Sequence, residues 1–323
     1  MAPPWTLELL DAFRDPDSAG SIPPRPEKAL SGSDFMKTID GVEGAERERL
    51  ILEQLQQGNI PDFLRDFQRV NVTFIGAEDK MEHKATFFVM PDCLAIGSNE
   101  DHVLIPMTPR TAEAFAAANG LTLPTAKMVD DTFKNADVQI TTDPRSTDSR
   151  ENLTRQYWRD NPRAQDDSSS YAEHDQAIQD RYQAEMQRRS DADYEETPHT
   201  GNNPPVAPGR GEGPVLLTAG HKKELVLADA SHFGKGEAGN GELAFYGFYK
   251  DDGTPIQGSG GIAQTAHDPN FVDYSHGARM VDQYVWIDGN KKMKLTDAVA
   301  DPNFYKAFSN EGQMKNAVPW HKP

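Results

Sequence analysis

A single cysteine, Cys93, stands among 323 residues. One thiol excludes an internal disulfide and every multi-cysteine zinc or iron–sulfur centre. Its neighbours in "FFVMPDCLAIGS" are apolar, which predicts an inert core thiol rather than an activated nucleophile. Long apolar runs are also missing, and none approaches the roughly 20 residues that a bilayer-crossing helix needs. The opening "MAPPWTLELLDAFRDPDSAG" lacks a basic segment followed by an apolar one, so it does not read as a secretion signal. A soluble, cytoplasmic protein with no membrane partner is the expectation.

Positive charge is scarce. There are 33 Lys+Arg against 51 Asp+Glu, a formal charge of -18. Such a surface repels phosphate backbones, which argues against nucleic-acid partners. The deficit is uneven. From Gly213 onward 11 basic residues face 13 acidic ones, while residues 1–212 hold 22 against 38. The near-neutral final third also carries five of the nine histidines, so a small anionic ligand is tolerable there.

Standard signatures fail when tested for context. "GKGEAG" (Gly234–Gly239) matches G-x-G-x-x-G literally, but a strand pattern follows it instead of the helix on which a pyrophosphate would rest. "GSGG" (Gly258–Gly261) is no nucleophile elbow, and the chain has neither a Walker loop nor H-E-x-x-H.

Periodicity predicts an α+β fold with a helical and hairpin N-terminal part, a β-rich C-terminal part and a polar insertion between them. Residues 1–40 read as an extended arm whose "WTLELLDAF" could engage a protein partner. Within 41–140, "GAERERLILEQLQQGN" reads as a helix with Ala45, Leu50, Ile51 and Leu55 inward. "RVNVTFIGAEDKMEHKATFFVM" reads as a hairpin, and Thr108 and Thr125 as caps of two further helices. Residues 141–212 hold only 15 hydrophobic residues in 72, too few for a core of their own. One helix there should present Tyr171, Ile178, Tyr182 and Met186 on a single face. Residues 213–323 are β-rich, with a turn at Asp252-Gly253 and a closing helix capped by Thr296.

Chemistry-bearing residues gather near strand ends in that last part: His221-Lys222-Lys223, His267-Asp268, and "DYSHGAR" (Asp273–Arg279). Rigid elements can present such groups into a cleft. Asp273 is near enough to orient His276 and raise its basicity. Lys222, Tyr274, Ser275 and Arg279 could hold an anionic group, with His267 as a further contact. Each of these residues also has an ordinary structural use: turn formation for Asp273 and Ser275, or an Arg279–Asp282 surface pair. No cofactor is implied outright. A zinc variant would use His221, His267 and His276, with Asp273 as ligand or acceptor.

Taken together, "GNIPDFLRDF", "FFVMPDCLAIGSNEDHVLIPMTP", "LTLPTAKMVDD", "GHKKELVL" and "DYSHGARMV" resemble a family of uncharacterised bacterial proteins with similar blocks in the same order. That resemblance implies no activity or site residue. It implies only that 41–140 and 213–323 belong together, as one body with a long insertion.

The functional expectation is a hydrolase acting on a small anionic or peptide-like substrate. His276 would be the acid/base, Asp273 would orient it, and His221 would serve as complementary acid or oxyanion partner. A non-enzymatic ligand-binding or assembly protein is the competing expectation.

Overall fold

Alternating β-branched and aromatic residues around the turn 76–81 produce two eight-residue strands, β1 (Gln68–Ile75) and β2 (Glu82–Val89). They pair antiparallel, with Val70 opposite Phe87. This hairpin is seen in a computed structural model that describes residues 22–141, 168–196, 215–234 and 241–321. The "WTLELLDAF" arm and most of "GKGEAG" lie outside the described residues.

Two helices precede the hairpin, α1 (Gly32–Thr38) and α2 (Gly44–Gln56); α1 falls within residues 1–40, expected to be an extended arm, because Phe35 and Ile39 dock into the core. The buried stripe of α2 is Arg47, Ile51 and Leu55, whereas Ala45, expected inward, is exposed. The helix is rotated so that the Arg47 guanidinium lies 5.7 Å from the ring centroid of Tyr171, arriving from the insertion. Next come β3 (Ala95–Gly97), β4 (His102–Leu104), α3 (Pro109–Ala118), β5 (Leu121–Thr122), α4 (Ala126–Asn135) and β6 (Val138–Gln139). Thr108 and Thr125 cap α3 and α4 through their side chains, as the sequence predicts, each worth about 1 kcal/mol.

The insertion contributes α5 (Ser168–Glu196). Tyr171, Ile178, Tyr182 and Met186 are all buried, so the expected stripe docks the helix on the body. The remaining strands are β7 (Thr218–Ala219), β8 (Lys223–Leu225), β9 (Ala228–Asp229), β10 (Leu243–Tyr249), β11 (Pro255–Gln257) and β12 (Gln264–Ala266). After them follow β13 (His276–Gly277), β14 (Val281–Asp282), β15 (Tyr284–Ile287), β16 (Lys291–Lys294), α6 (Leu295–Ala300) and β17 (Ala317–Val318). Lys294, not Thr296, is the N-cap of α6, because β16 runs directly into the helix and Thr296 is already inside it.

The first sheet runs β16-β15-β2-β14-β5, with β1 also on β2. Its members come from both ends of the sequence: Val281 of β14 pairs with Val89 of β2 on one side and Thr122 of β5 on the other. The second sheet runs β11-β10-β8-β13, with β12 on β10. Here β13 is parallel to β8 and the other pairs are antiparallel. The α+β fold is thus as expected. One apolar core takes in Phe35, Phe87, Phe115, Tyr171, Phe245, Val281 and Phe308. No helix among the described residues is long and apolar enough to cross a membrane.

Candidate functional site

The chain from Ser275 to Met280 threads between the two sheets and is hydrogen-bonded on both sides. Lys223 N–H donates to Ser275 O, Leu94 N–H to Ala278 O and Met90 N–H to Met280 O. This stitching draws three stretches into contact: "MPDCL" after β2, "GHKKEL" leading into β8, and "DYSHGAR" around β13. Gly277 makes the approach possible. A Cβ there would lie 2.7 Å from Cys93 Sγ and 2.8 Å from Lys222 Cβ, so only glycine fits. Strand β10 helps from the other side. Phe248 takes a left-handed φ of 57°, and its N–H reaches Lys222 O while Tyr249 N–H reaches Gly220 O. Such a conformation costs a non-glycine residue of order 1 kcal/mol or more, and here it fixes the loop that carries His221 and Lys222.

Around these backbones lies a buried group of ionisable side chains: Asp92, Cys93, His221, Lys222, Glu224, Asp273, His276 and Arg279. His221 Nε2 is 2.9 Å from Asp92 Oδ1, although neither ring nitrogen makes a hydrogen bond. The Lys222 ammonium donates to the Tyr274 carbonyl at 2.8 Å. Burial pushes its pKa down to about 8, against the pull of Asp175, Cys93, Asp273 and Asp92. Both nitrogens of His276 are also without hydrogen bonds. Burial brings its pKa down to about 4 and outweighs the opposing pull of Asp273. The ring is therefore unprotonated at pH 7 but a weaker base than a free imidazole, contrary to the raised basicity expected from sequence.

Several sequence expectations are corrected by this geometry. Asp273 does not hydrogen-bond His276; its Oδ2 stands 3.8 Å from Nε2. The carboxylate instead accepts from Ser275 N–H at 2.8 Å, from the Ser275 hydroxyl and from Lys223 Nζ at 3.0 Å. Burial alone would raise this carboxyl, but His276, Lys223 and Ser275 together hold it below its ordinary value. Its effect on His276 is therefore a field across a short gap.

Arg279, expected to bind substrate, has its donors taken within the protein. Nε meets both Glu224 oxygens at 3.0 and 3.1 Å, Nη1 donates to Met90 O at 2.9 Å, and Nη2 to Thr218 O at 2.8 Å. It also does not form the surface pair with Asp282. Burial works against its charge, yet Glu224 and its neighbours hold the guanidinium ionised. Arg279 is the clamp joining the two sheets.

His267 is exposed and stacks on Phe271, with centroids 4.3 Å apart. Phe271 in turn sits 5.8 Å from His276, so a ring separates the outer imidazole from the inner one. The four-residue zinc set expected from sequence is not what gathers. The group whose donor atoms lie within 4.8 Å of one another is Asp92, Cys93 and His221. The Cys93 thiol is pushed well above its ordinary pKa by burial, as expected of a core thiol.

Three participants went unforeseen. Asp92 and Glu224 stand beside residues the sequence reading did single out, but nothing in a linear pattern marks them as partners of His221 and Arg279. The third is His174 on α5, whose ring edge meets Tyr274 with centroids 4.9 Å apart. Burial, then Lys222 and His221, push its pKa well below the ordinary value, opposed by a hydrogen bond to the His221 backbone. His174 and Tyr274 are half-buried, at the outer side of the cluster. Next to His174, Asp175 accepts from Leu104 N–H at 3.0 Å and also lines a groove of about 780 Å³ with Asn99, Glu100, His102, Gln176 and Gln179.

No family model, curated protein or solved structure matches this chain.

Proposed function

We propose that the protein is a hydrolase whose site is the buried cluster around Lys222, acting on a peptide-like substrate. The observation that carries this reading is the convergence of His221, Lys222, Asp273 and His276 with Asp92, drawn from segments far apart in sequence. Buried ionisable groups with displaced pKa values are costly to the fold and concentrate where chemistry is done. His276, neutral at pH 7, is the general base, and the ionised Asp273 stabilises the imidazolium that forms when it takes a proton. His221, backed by Asp92, supplies the electrophilic side, facing the negative charge that develops on the substrate. Lys222 adds a nearby positive charge. Tyr274 and Ser275 shape the site, and His267 guards its outer edge.

A peptide-like substrate suits the groove beside α5, which meets the surroundings of the cluster through Asp175, better than a phosphoester does. Glu100, Asp101 and Asp175 line it beside the carboxamides of Asn99, Gln176, Gln179 and Gln183, and no Lys or Arg takes part. Carboxamides both donate and accept, which matches peptide groups, whereas the carboxylates repel phosphate.

The test uses wild-type protein and the His276→Ala variant on p-nitrophenyl acyl esters, p-nitrophenyl phosphate and cell-wall stem peptides. The expected result is hydrolysis of a peptide or acyl substrate that falls about a hundredfold or more in the variant. The acid limb of wild-type kcat/KM should fall as pH drops toward about 4. No turnover across the panel, or turnover undiminished in the variant, contradicts the reading.

A second reading, a ligand-binding or assembly protein without turnover, is favoured by the burial of His221, Lys222 and His276, each no more than 2% exposed. On that reading the outer residues Tyr274 and His174 recognise a ligand, and protein partners engage through the N-terminal arm.

A further inference from the structure

We infer that Asp92, Cys93 and His221 form a binding site for a zinc-class divalent metal ion. Their donor atoms lie within 4.8 Å of one another, and all three residues are nearly inaccessible to solvent. One carboxylate, one thiolate and one imidazole make a donor set suited to zinc or a neighbouring transition metal, rather than to magnesium or calcium.

The geometry of His221 points independently to an ion. Its Nε2 is 2.9 Å from Asp92 Oδ1, yet the two groups do not align as donor and acceptor, and Nδ1 is also without a hydrogen bond. An imidazole 98% removed from solvent whose nitrogens make no hydrogen bond, with only the Asp92 carboxylate beside Nε2, is an expensive arrangement. Two potential ligand groups lying side by side without a hydrogen bond between them, with the Cys93 thiol within 4.8 Å, are compatible with two ligands of one ion. Neighbouring contacts hold the set in place. Cys93 N–H donates to Asp92 Oδ1 at 2.7 Å, and Arg279 Nη2 stands 4.0 Å from the same oxygen. The missing Cβ at Gly277 leaves room for the Cys93 sulfur.

Charge supplies a third argument. Asp92, Asp175, Glu224 and Asp273 bring four carboxylates to the cluster, against the cations Lys222, Lys223 and Arg279. Without an ion the thiol is protonated, so four carboxylates face three cations and the cluster keeps a net negative charge that favours a bound cation. The adjacent Lys222 and Arg279 are therefore not an obstacle, because carboxylates already answer them.

Three protein ligands leave a fourth position for water or a substrate carbonyl, the usual form of a catalytic rather than a structural site. This deepens the proposed function, since the ion becomes the electrophile that His221 supplies to the site. Its part in turnover rests on the hydrolase reading, but its binding does not.

The test uses the full chain purified without a histidine tag. Zinc is measured by elemental analysis, and cobalt(II) is titrated into metal-stripped protein while the near-ultraviolet thiolate-to-cobalt charge-transfer band is followed. The expected result is about one metal ion per chain. The charge-transfer band should be abolished in Cys93→Ser, and affinity should fall about a hundredfold or more in His221→Ala. His232→Ala, at a half-buried imidazole that pairs with Glu311 instead of with the cluster, should behave as wild type. Circular dichroism identifies any variant that fails to fold, and the wild-type stoichiometry and band stand without the variants. A wild-type stoichiometry near zero with no cobalt band overturns the inference, as does binding that survives both Cys93→Ser and His221→Ala. Metal bound without turnover on any substrate removes the hydrolase reading alone. Turnover by metal-free protein removes the ion from the mechanism.

Discussion

At the scale of single residues, Arg279 and His276 are both buried ionisable groups three positions apart, yet their energetics are opposite. Arg279 meets Glu224 through Nε and two backbone carbonyls through its terminal nitrogens, so its charge is matched on every side. Arg279→Leu leaves the Glu224 carboxylate buried and unmatched, and should cost about 3–5 kcal/mol in denaturant unfolding. A loss under about 1 kcal/mol would contradict the clamp role. His276 has no hydrogen bond at either nitrogen, so its burial is a cost to the fold. The sequence marked both residues as candidates because both carry chemistry, but it could not separate them. The difference lies in Met90, Thr218 and Glu224, which only tertiary structure brings to Arg279. Asp92 escaped notice for the same reason: its relation to His221 spans 129 positions and leaves no local pattern.

At the scale of elements, local signals were reliable wherever local physics decides. The β1–β2 hairpin, the caps at Thr108 and Thr125 and the α5 stripe all follow from alternation, side-chain capping and a 3.6-residue period. Ala45, expected inward, is exposed because α2 turns Arg47, Ile51 and Leu55 to the core, with Arg47 over the Tyr171 ring from a distant helix. A turn feature invisible to pattern reading joins the hairpin to the C-terminal part. His83 of β2 lies between Asp288, 2.7 Å from Nδ1, and Asp79, 2.9 Å from Nε2, with Phe74 stacked on the ring. Asp288 and then Asp79 raise the His83 pKa above its ordinary 6.5. A histidine with a raised folded-state pKa stabilises fully below the unfolded value, and that contribution is lost as pH rises through the folded one. The excess stability of wild type over His83→Gln should therefore be largest near pH 6 and decline as pH rises beyond the raised pKa. Below pH 4, protonation of Asp79 and Asp288, whose pKa values are lowered, should remove it again. A pH-independent difference in melting temperature would show that the two carboxylates do not act through the imidazolium.

At the scale of the whole molecule, the early and late parts of the sequence share one sheet. β14 lies between β2 and β5, and the strand it continues carries the candidate site. Blocks of sequence suggested that the parts belong together, but the crossing of "DYSHGARMV" between two sheets depends on long-range pairing that no window of residues encodes. The proposed function requires that the fold hold an imidazole at His276 at the expense of stability. The direct measurement is the unfolding free energy of His276→Leu against wild type, at pH 7.5 and again at pH 5. A histidine whose folded pKa is depressed to about 4 leaves the native state fully stable above 6.5 and weakens it as pH falls from 6.5 toward 4. Leucine carries no such liability. The variant is expected to match or exceed wild type at pH 7.5, with an added advantage of about 2 kcal/mol at pH 5. A variant less stable than wild type by about 3 kcal/mol at both pH values would mean that His276 is there to hold the fold together, and the account would fail.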